Sequence, residues 1–392
     1  MTRHDLPGRR RLLRAAILVM TLATAVVTPA PAVAATRDAA CHPWAAWEGF
    51  KARFIDRSGR VIDPSTPNHH TTSEGQSYAL FYALVANDRE AFDKVLQWTI
   101  NNLANGDLTA RLPAWQWGRR DDGSWRVMDE NSASDSDLWI AYALAEAGRL
   151  WQVQRYKAIA RLLAERILRE ETVLIPGFGR TLLPGAVGFQ LRPDVFRLNP
   201  SYVPIQLMRR FASLYPQAGW KQLVSTSIDT IVRSSPRGYA PDWVLFSSNS
   251  GFTFDPETGG VGSYNAIRVY LWAGMLAPSD PVRPMLLRTL GPAARYVVQN
   301  GTPPLEVDTR TGTVSGAGPA GFSSAMLPFL AASRQDEAFH QQRLRLNALA
   351  PLDRSDNYYD QALTLFALGW IEGRYHFARN GALRTKWICA AN

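Results

Sequence analysis

The chain has 392 residues, 46% of them hydrophobic and 20% charged, with 43 Lys and Arg against 34 Asp and Glu. Five of the arginines precede residue 15; a mature chain from residue 36 keeps 38 basic against 33 acidic residues, with no dense Lys/Arg run, which argues against a nucleic-acid partner. No later segment has the long uncharged apolar run of a transmembrane helix.

The first 35 residues read as a cleaved signal peptide. Arg9, Arg10, Arg11 and Arg14 precede an apolar stretch from Ala15 to Val27, and Ala32-Val33-Ala34 supplies a small-x-small cleavage site. Arg10-Arg11 also admits a twin-arginine reading, although basic leaders often contain such pairs. Export predicts a periplasmic or secreted protein. In that oxidising setting the two cysteines, Cys41 and Cys389, suggest a disulfide that brings the ends of the mature chain together. Two unpaired thiols are the alternative.

No Ser/Gly/Pro-rich linker divides residues 36–392, which read as one domain. Helical patterns fall near 43–57, 73–88, 90–104, 134–151, 154–171, 199–215, 217–234, 263–277, 282–300, 320–333, 335–349 and 357–373. The twelve form six successive pairs. The segments 78–85, 138–147, 264–276 and 358–371 are apolar nearly all round and should be buried on every side. Their partners, such as 154–171, carry one polar face. An inner ring of buried helices inside an outer amphipathic ring is an all-α, (α/α)6 barrel of six helical hairpins. A helical solenoid is the alternative, but no fixed-period repeat supports it.

The loops that enter the inner helices carry Trp115, Trp117, Asn199, Tyr202, Asp242, Trp243, Phe322, Asp356, Tyr358 and Tyr359. If the inner helices start at one rim, these residues converge on one cleft. Thirteen Trp and thirteen Tyr suit pyranose stacking, though many aromatics fill cores. Polar clusters also open three inner helices. Glu74 follows Thr71-Thr72-Ser73, which fits a capping box. Asp135 and Asp137 lie in the run 132–137, and Asn265 and Arg268 follow Ser263. Capping by Ser134, Asp135 or Ser263 explains one oxygen per site. It explains neither a second Asp nor an Arg one turn into an apolar helix. Glycoside hydrolysis needs a protonated acid and a carboxylate that activates water or attacks carbon. Glu74 among aromatics could serve as the acid if burial outweighs the helix dipole.

The stretches RVIDPS (60–65), TTSEGQSY (71–78), LPAWQWG (112–118), NSASDSDLW (131–139), NPSY (199–202), SYNAIRVY (263–270) and GFSSAMLPF (321–329) resemble glycoside hydrolase family 8, and within it the periplasmic endoglucanases encoded with bacterial cellulose synthase. The resemblance runs from about Cys41 to the C-terminus, with Ser136 where the family usually has Ala or Gly. It implies an inverting endo-β-1,4-glucanase acting on a cellulose-type chain, with no metal or cofactor, and a possible partner in a cellulose synthase or export complex. By motif, Glu74 matches the general acid and Asp135 the aspartate that binds and distorts the sugar. Tyr264 and Arg268 match groups around that sugar, and Trp115, Tyr202 and Tyr359 match aromatic subsites. The paired terminal cysteines also match.

One position departs from the family. Its base is the Asp after the motif tyrosine, and here that residue is Asn265, whose amide accepts no proton near neutral pH. Three expectations compete: a base displaced to Asp242, Asp255 or Glu257; slow hydrolysis with Asn265 holding a water; or a glucan-binding relative without turnover. His69-His70 lack a supporting metal motif, and Gly259-Gly260-Val261-Gly262 lacks the Lys of a phosphate loop. A non-enzymatic polysaccharide-binding subunit is the reading from another class. Chain-length preference and oligomeric state are not legible.

Overall fold

A helix that is apolar on nearly every face can only sit inside other helices, and among the described residues such helices alternate with amphipathic ones. The computed structural model describes residues 44–66, 68–349 and 357–387. In chain order the helices are α1 (Ala45–Phe54), α2 (Ser73–Ala86), α3 (Arg89–Asn102), α4 (Ser134–Leu150), α5 (Gln154–Glu170), α6 (Ile205–Leu214), α7 (Trp220–Ser234), α8 (Ile267–Gly274), α9 (Arg283–Thr289), α10 (Gly291–Asn300), α11 (Ala320–Ala332), α12 (Asp336–Leu349) and α13 (Tyr358–Ile371). The leader, Cys41, Asp356 and Cys389 lie outside the described residues, so the expected signal peptide and disulfide do too.

Each expected helix is present. The one expected over 282–300 is two, because Pro292 lacks an amide proton and its ring opposes the carbonyl four residues back. The helix expected from 199 starts at Ile205, after a 3-10 turn at Pro200–Tyr202 and with Pro204 at its N-cap.

Packing closes a ring. α2 lies against α4, α4 against α6, α6 against α8, α8 against α11, α11 against α13, and α13 against α2. Outside them, α1, α3, α5, α7, the α9–α10 pair and α12 each cover an inner neighbour. This is the expected α/α barrel. Its axis is filled by Phe81, Trp139, Trp272 and Phe366, with Phe81–Trp139 centroids 4.9 Å apart and Trp272–Phe366 5.1 Å apart. Such pairs add about 0.5–1.5 kcal/mol each beyond the area they bury. At the other end of α4, the buried Glu146 is held by Arg149, Arg210 and the Leu383 amide, which satisfies a carboxylate that water cannot reach.

Close helix approach needs a missing side chain at Gly274. A Cβ there would lie 2.3 Å from the Phe329 amide nitrogen and 2.5 Å from the Pro328 carbonyl carbon. Neither can yield, because both are backbone. Gly274→Ala should therefore push α8 from α11 and destabilise the fold by about 1–3 kcal/mol. A urea denaturation midpoint equal to that of the natural protein would refute this.

Short strands were not expected and line the loops in five small antiparallel sheets. Thr71–Thr72 pairs with Gln116–Arg119 and sets Trp115 beside the start of α2. Val195–Leu198, Val244–Ser247 and Gly251–Phe254 are consecutive strands of a four-stranded sheet.

Candidate active site

The starts of the inner helices meet at one rim. Ser136 Oγ on α4 hydrogen-bonds Ser73 Oγ on α2 at 2.7 Å, so the serine that departs from the usual small residue ties two helix starts together. Across the rim, the Tyr359 hydroxyl of α13 donates to the Tyr264 carbonyl at 2.5 Å.

Glu74 is the second residue of α2, and it does not cap that helix. Thr72 does, its Oγ1 accepting the Gly75 amide at 3.2 Å. Glu74 Oε1 instead accepts from Trp115 Nε1 at 3.2 Å, while Oε2 is buried without a partner. Burial first, then the nearby Asp135, pushes the carboxyl up to about 8. Burial thus outweighs the helix dipole, which favours the ionised form. At neutral pH this side chain holds a proton that no protein group accepts.

Asp135 is likewise the second residue of its helix, α4. Its Oδ1 accepts the Ser136 amide at 2.8 Å, and Oδ2 lies 3.7 Å from Arg268 Nη1. Burial pushes this carboxyl up to about 6, against the pull of Arg268. Arg268 is buried and organises the centre. Its Nη2 donates to Asn265 Oδ1 at 2.7 Å and to Ser201 Oγ at 3.0 Å, and its guanidinium carbon sits 5.5 Å from the Tyr202 ring.

Asn265 Oδ1 also accepts from Asn199 Nδ2 at 3.1 Å. Its carbonyl side therefore faces two donors, and its Nδ2 donates to no protein group among the described residues. The side chain can donate to a water but cannot remove a proton from one.

The three loop carboxylates differ. Asp242 Oδ1 accepts the amides of Ser263, Asn265 and Ala266 at 2.8, 3.0 and 2.7 Å, and so caps the start of α8. Its Oδ2 accepts no hydrogen bond among the described residues, and burial of the group raises its pKa. Asp255 is buried against Arg197 at 2.7 Å and also accepts from Glu257 N–H and Thr258 Oγ1. Glu257 is exposed and pairs with the same Arg197 at 2.8 Å. Of the three, Asp242 alone touches Asn265.

Aromatic planes border these groups. Trp115 and Tyr264 are 36% and 50% exposed, which for such large apolar rings leaves a face open to a ligand. Tyr264 packs on Phe322 and Tyr359, at 5.1 and 5.9 Å. On the Trp115 side a cavity of about 260 Å³ is walled by Trp115, Tyr202, Phe189 and Trp243. Sequence reasoning missed Arg60, which lies 4.5 Å from the Trp117 and Trp125 ring centres and donates to Thr71 Oγ1 just before α2, and Tyr78, whose hydroxyl reaches Arg268 at 3.4 Å. No group of three or more metal-ligating side chains occurs among the described residues.

The model of glycosyl hydrolases family 8 matches residues 20–373. An endoglucanase of Escherichia coli (strain K12) is 46% identical over 366 residues, 93% of this chain and 97% of that protein. The solved endo-1,4-D-glucanase of Vibrio fischeri ES114 is 47% identical with a TM-score of 0.85, covering 88% of this chain and all of that one. The endo-beta-1,4-glucanase CMCax of Acetobacter xylinum is 27% identical with a TM-score of 0.68, over 82% and 95% of the two chains.

Proposed function

The chain belongs to glycosyl hydrolases family 8 and is a glycoside hydrolase, and from that premise we propose that it is an endo-β-1,4-glucanase with Glu74 as its proton donor. One observation carries the reading. A carboxyl pushed up to about 8, with one oxygen unpartnered, stands at the meeting point of Asp135, Arg268 and exposed aromatic rings. A leaving glycosidic oxygen needs such a proton. Asp135, with its own pKa near 6, is ionised at neutral pH and supports positive charge developing on the sugar.

Inversion requires water on the opposite face of the ring. Asn265 positions that water, and Asp242 Oδ2, which has no hydrogen-bond partner among the described residues, is the carboxylate oxygen expected to take the water's proton. The raised pKa of Asp242 makes it a stronger base than an ordinary Asp. The test is the anomeric configuration of the first product from cellopentaose, read by proton NMR. The α-anomer must appear before mutarotation; β-anomer first would exclude inversion.

The pH profile follows from the acid. The donor works only while protonated, so kcat/KM should fall as pH rises through about 8. Trp115→Phe removes a hydrogen bond that favours the ionised form, and should move that limb to higher pH while raising KM. An unchanged alkaline limb would disconnect Trp115 from the acid.

A second reading has its own observation. Asn265 is an amide at the position where the family's base stands, and a protein that binds glucan without cleaving it would show this feature too. The leader pattern supports export, and a role beside cellulose synthesis rests on the sequence resemblance. Among the described residues no helix is long and apolar enough to cross a membrane.

A further inference from the structure

Beside the site lies a second pair of acids that the reaction does not use. Asp137, the fourth residue of α4, and Glu171, the residue after α5, are both wholly buried. Their carboxyls lie within hydrogen-bonding reach of each other. Asp137 Oδ2 and Glu171 Oε2 have no other partner. The charged groups that act on Asp137 are Glu171, Asp135 on α4 and Glu74 on α2; those on Glu171 are Asp135 and Glu170. All are acidic, and among the described residues neither carboxyl is in an ion pair with a cation.

Two buried carboxylates in contact cannot both be ionised without one. The surroundings show what the pair holds. Glu171 Oε1 accepts from Ser132 Oγ at 2.5 Å, and Ser132 Oγ in turn accepts the Ala186 amide at 3.1 Å. The Leu183 amide donates to the Glu171 carbonyl, and the Ser134 amide to the Pro184 carbonyl, at 2.8 and 2.9 Å. All of these links but the Leu183–Glu171 bond end on residues 132–137, the segment that carries Asp135.

We propose that Asp137 and Glu171 are positioning residues that share one proton, and that this O–H···O⁻ bond, in place of an ion pair, fixes the start of α4 and so holds Asp135 against Arg268. The catalytic consequence rests on the hydrolase reading above; the shared proton does not. In the bond one carboxyl donates its proton to the other's carboxylate, and the pair carries one negative charge. Loss of the proton leaves two repelling carboxylates and loosens the segment.

The sign of the pH dependence follows. Acids whose folded pKa lies above the unfolded value bind more protons when folded. Stability therefore falls as pH rises above the unfolded value, and the shared proton stays longest on Asp137, whose carboxyl burial and then Glu171 raise well above the usual range. Asp137→Asn keeps a donor to the Glu171 carboxylate and removes the proton that Asp137 would lose. Its melting temperature should fall less than that of the natural protein as pH rises above neutral.

The proton can be seen directly. In a Glu74→Gln background, which removes the other strongly raised acid, the infrared spectrum near neutral pH should show a protonated-carboxyl band that Asp137→Asn abolishes. The absence of that band, or its persistence in the double variant, overturns the shared proton whatever the protein hydrolyses. For positioning, Asp137→Asn in the natural protein should keep kcat near neutral pH within about threefold, whereas Asp137→Ala should lose roughly tenfold or more in kcat with a smaller change in KM. Equal losses in both variants, or none in Asp137→Ala, contradict the positioning role. If Asp137→Ala does not fold, the Asp137→Asn kcat and its melting profile still decide.

Discussion

Glu74→Gln is expected to lower turnover of an unactivated β-1,4-glucan by about a hundred- to ten-thousand-fold. The amide keeps the shape of the side chain and an oxygen for Trp115 Nε1, and the cap of α2 stays with Thr72. Folding and glucan affinity should therefore survive. An aryl β-cellobioside with a good leaving group needs less proton donation, so its loss should be much smaller. A uniform loss on both substrates would point to a disturbed cleft and not to a missing proton. Because the raised carboxyl destabilises the folded state at high pH, the variant should also be at least as stable as the natural protein above about pH 8.

Asn265→Asp should raise hydrolysis by about tenfold to a hundredfold, up to the lower end of what general bases contribute. The site already receives such a group. Arg268 Nη2 and Asn199 Nδ2 donate to Oδ1 at 2.7 and 3.1 Å, so the new carboxylate has two donors waiting. Its second oxygen takes the place of Nδ2, which has no protein partner among the described residues. If Asp242 now does the work of the base, Asp242→Asn should abolish most activity in the natural chain and matter far less beside Asn265→Asp. Asn at 242 still offers Oδ1 to the three amides of the α8 start, which separates chemistry from capping. Additive losses in this double-mutant cycle would mean that the two positions do not share the water. A decline in activity on Asn265→Asp would show that the natural amide serves better than an acid.

The barrel was legible because burial on all sides leaves a one-sided signature: α2, α4, α8 and α13 have no polar face to show to water. Helix ends were less so. The cap of α8 comes from Asp242, more than twenty residues upstream, and no local pattern around Ser263 records it. The strands escaped because runs of two to five residues carry no period of their own and form by pairing with distant partners. Glu74, Asp135, Asn265 and Arg268 stood out as polar residues at apolar helix starts. Glu171 did not. It follows an amphipathic helix whose polar face looks like a solvated one, and only packing against α4 reveals its burial. Arg60 was hidden for a similar reason, since its contacts with Trp117 and Trp125 cross a gap of more than fifty residues in sequence.

Reducing-end release from carboxymethyl cellulose by residues 36–392, run beside Glu74→Gln at equal concentration and near neutral pH, tests the central claim most directly. The account predicts steady release by the natural chain and loss of at least about a hundredfold in the variant, with glucan binding retained by both. Binding without release by the natural chain, or equal release by the two, would contradict it.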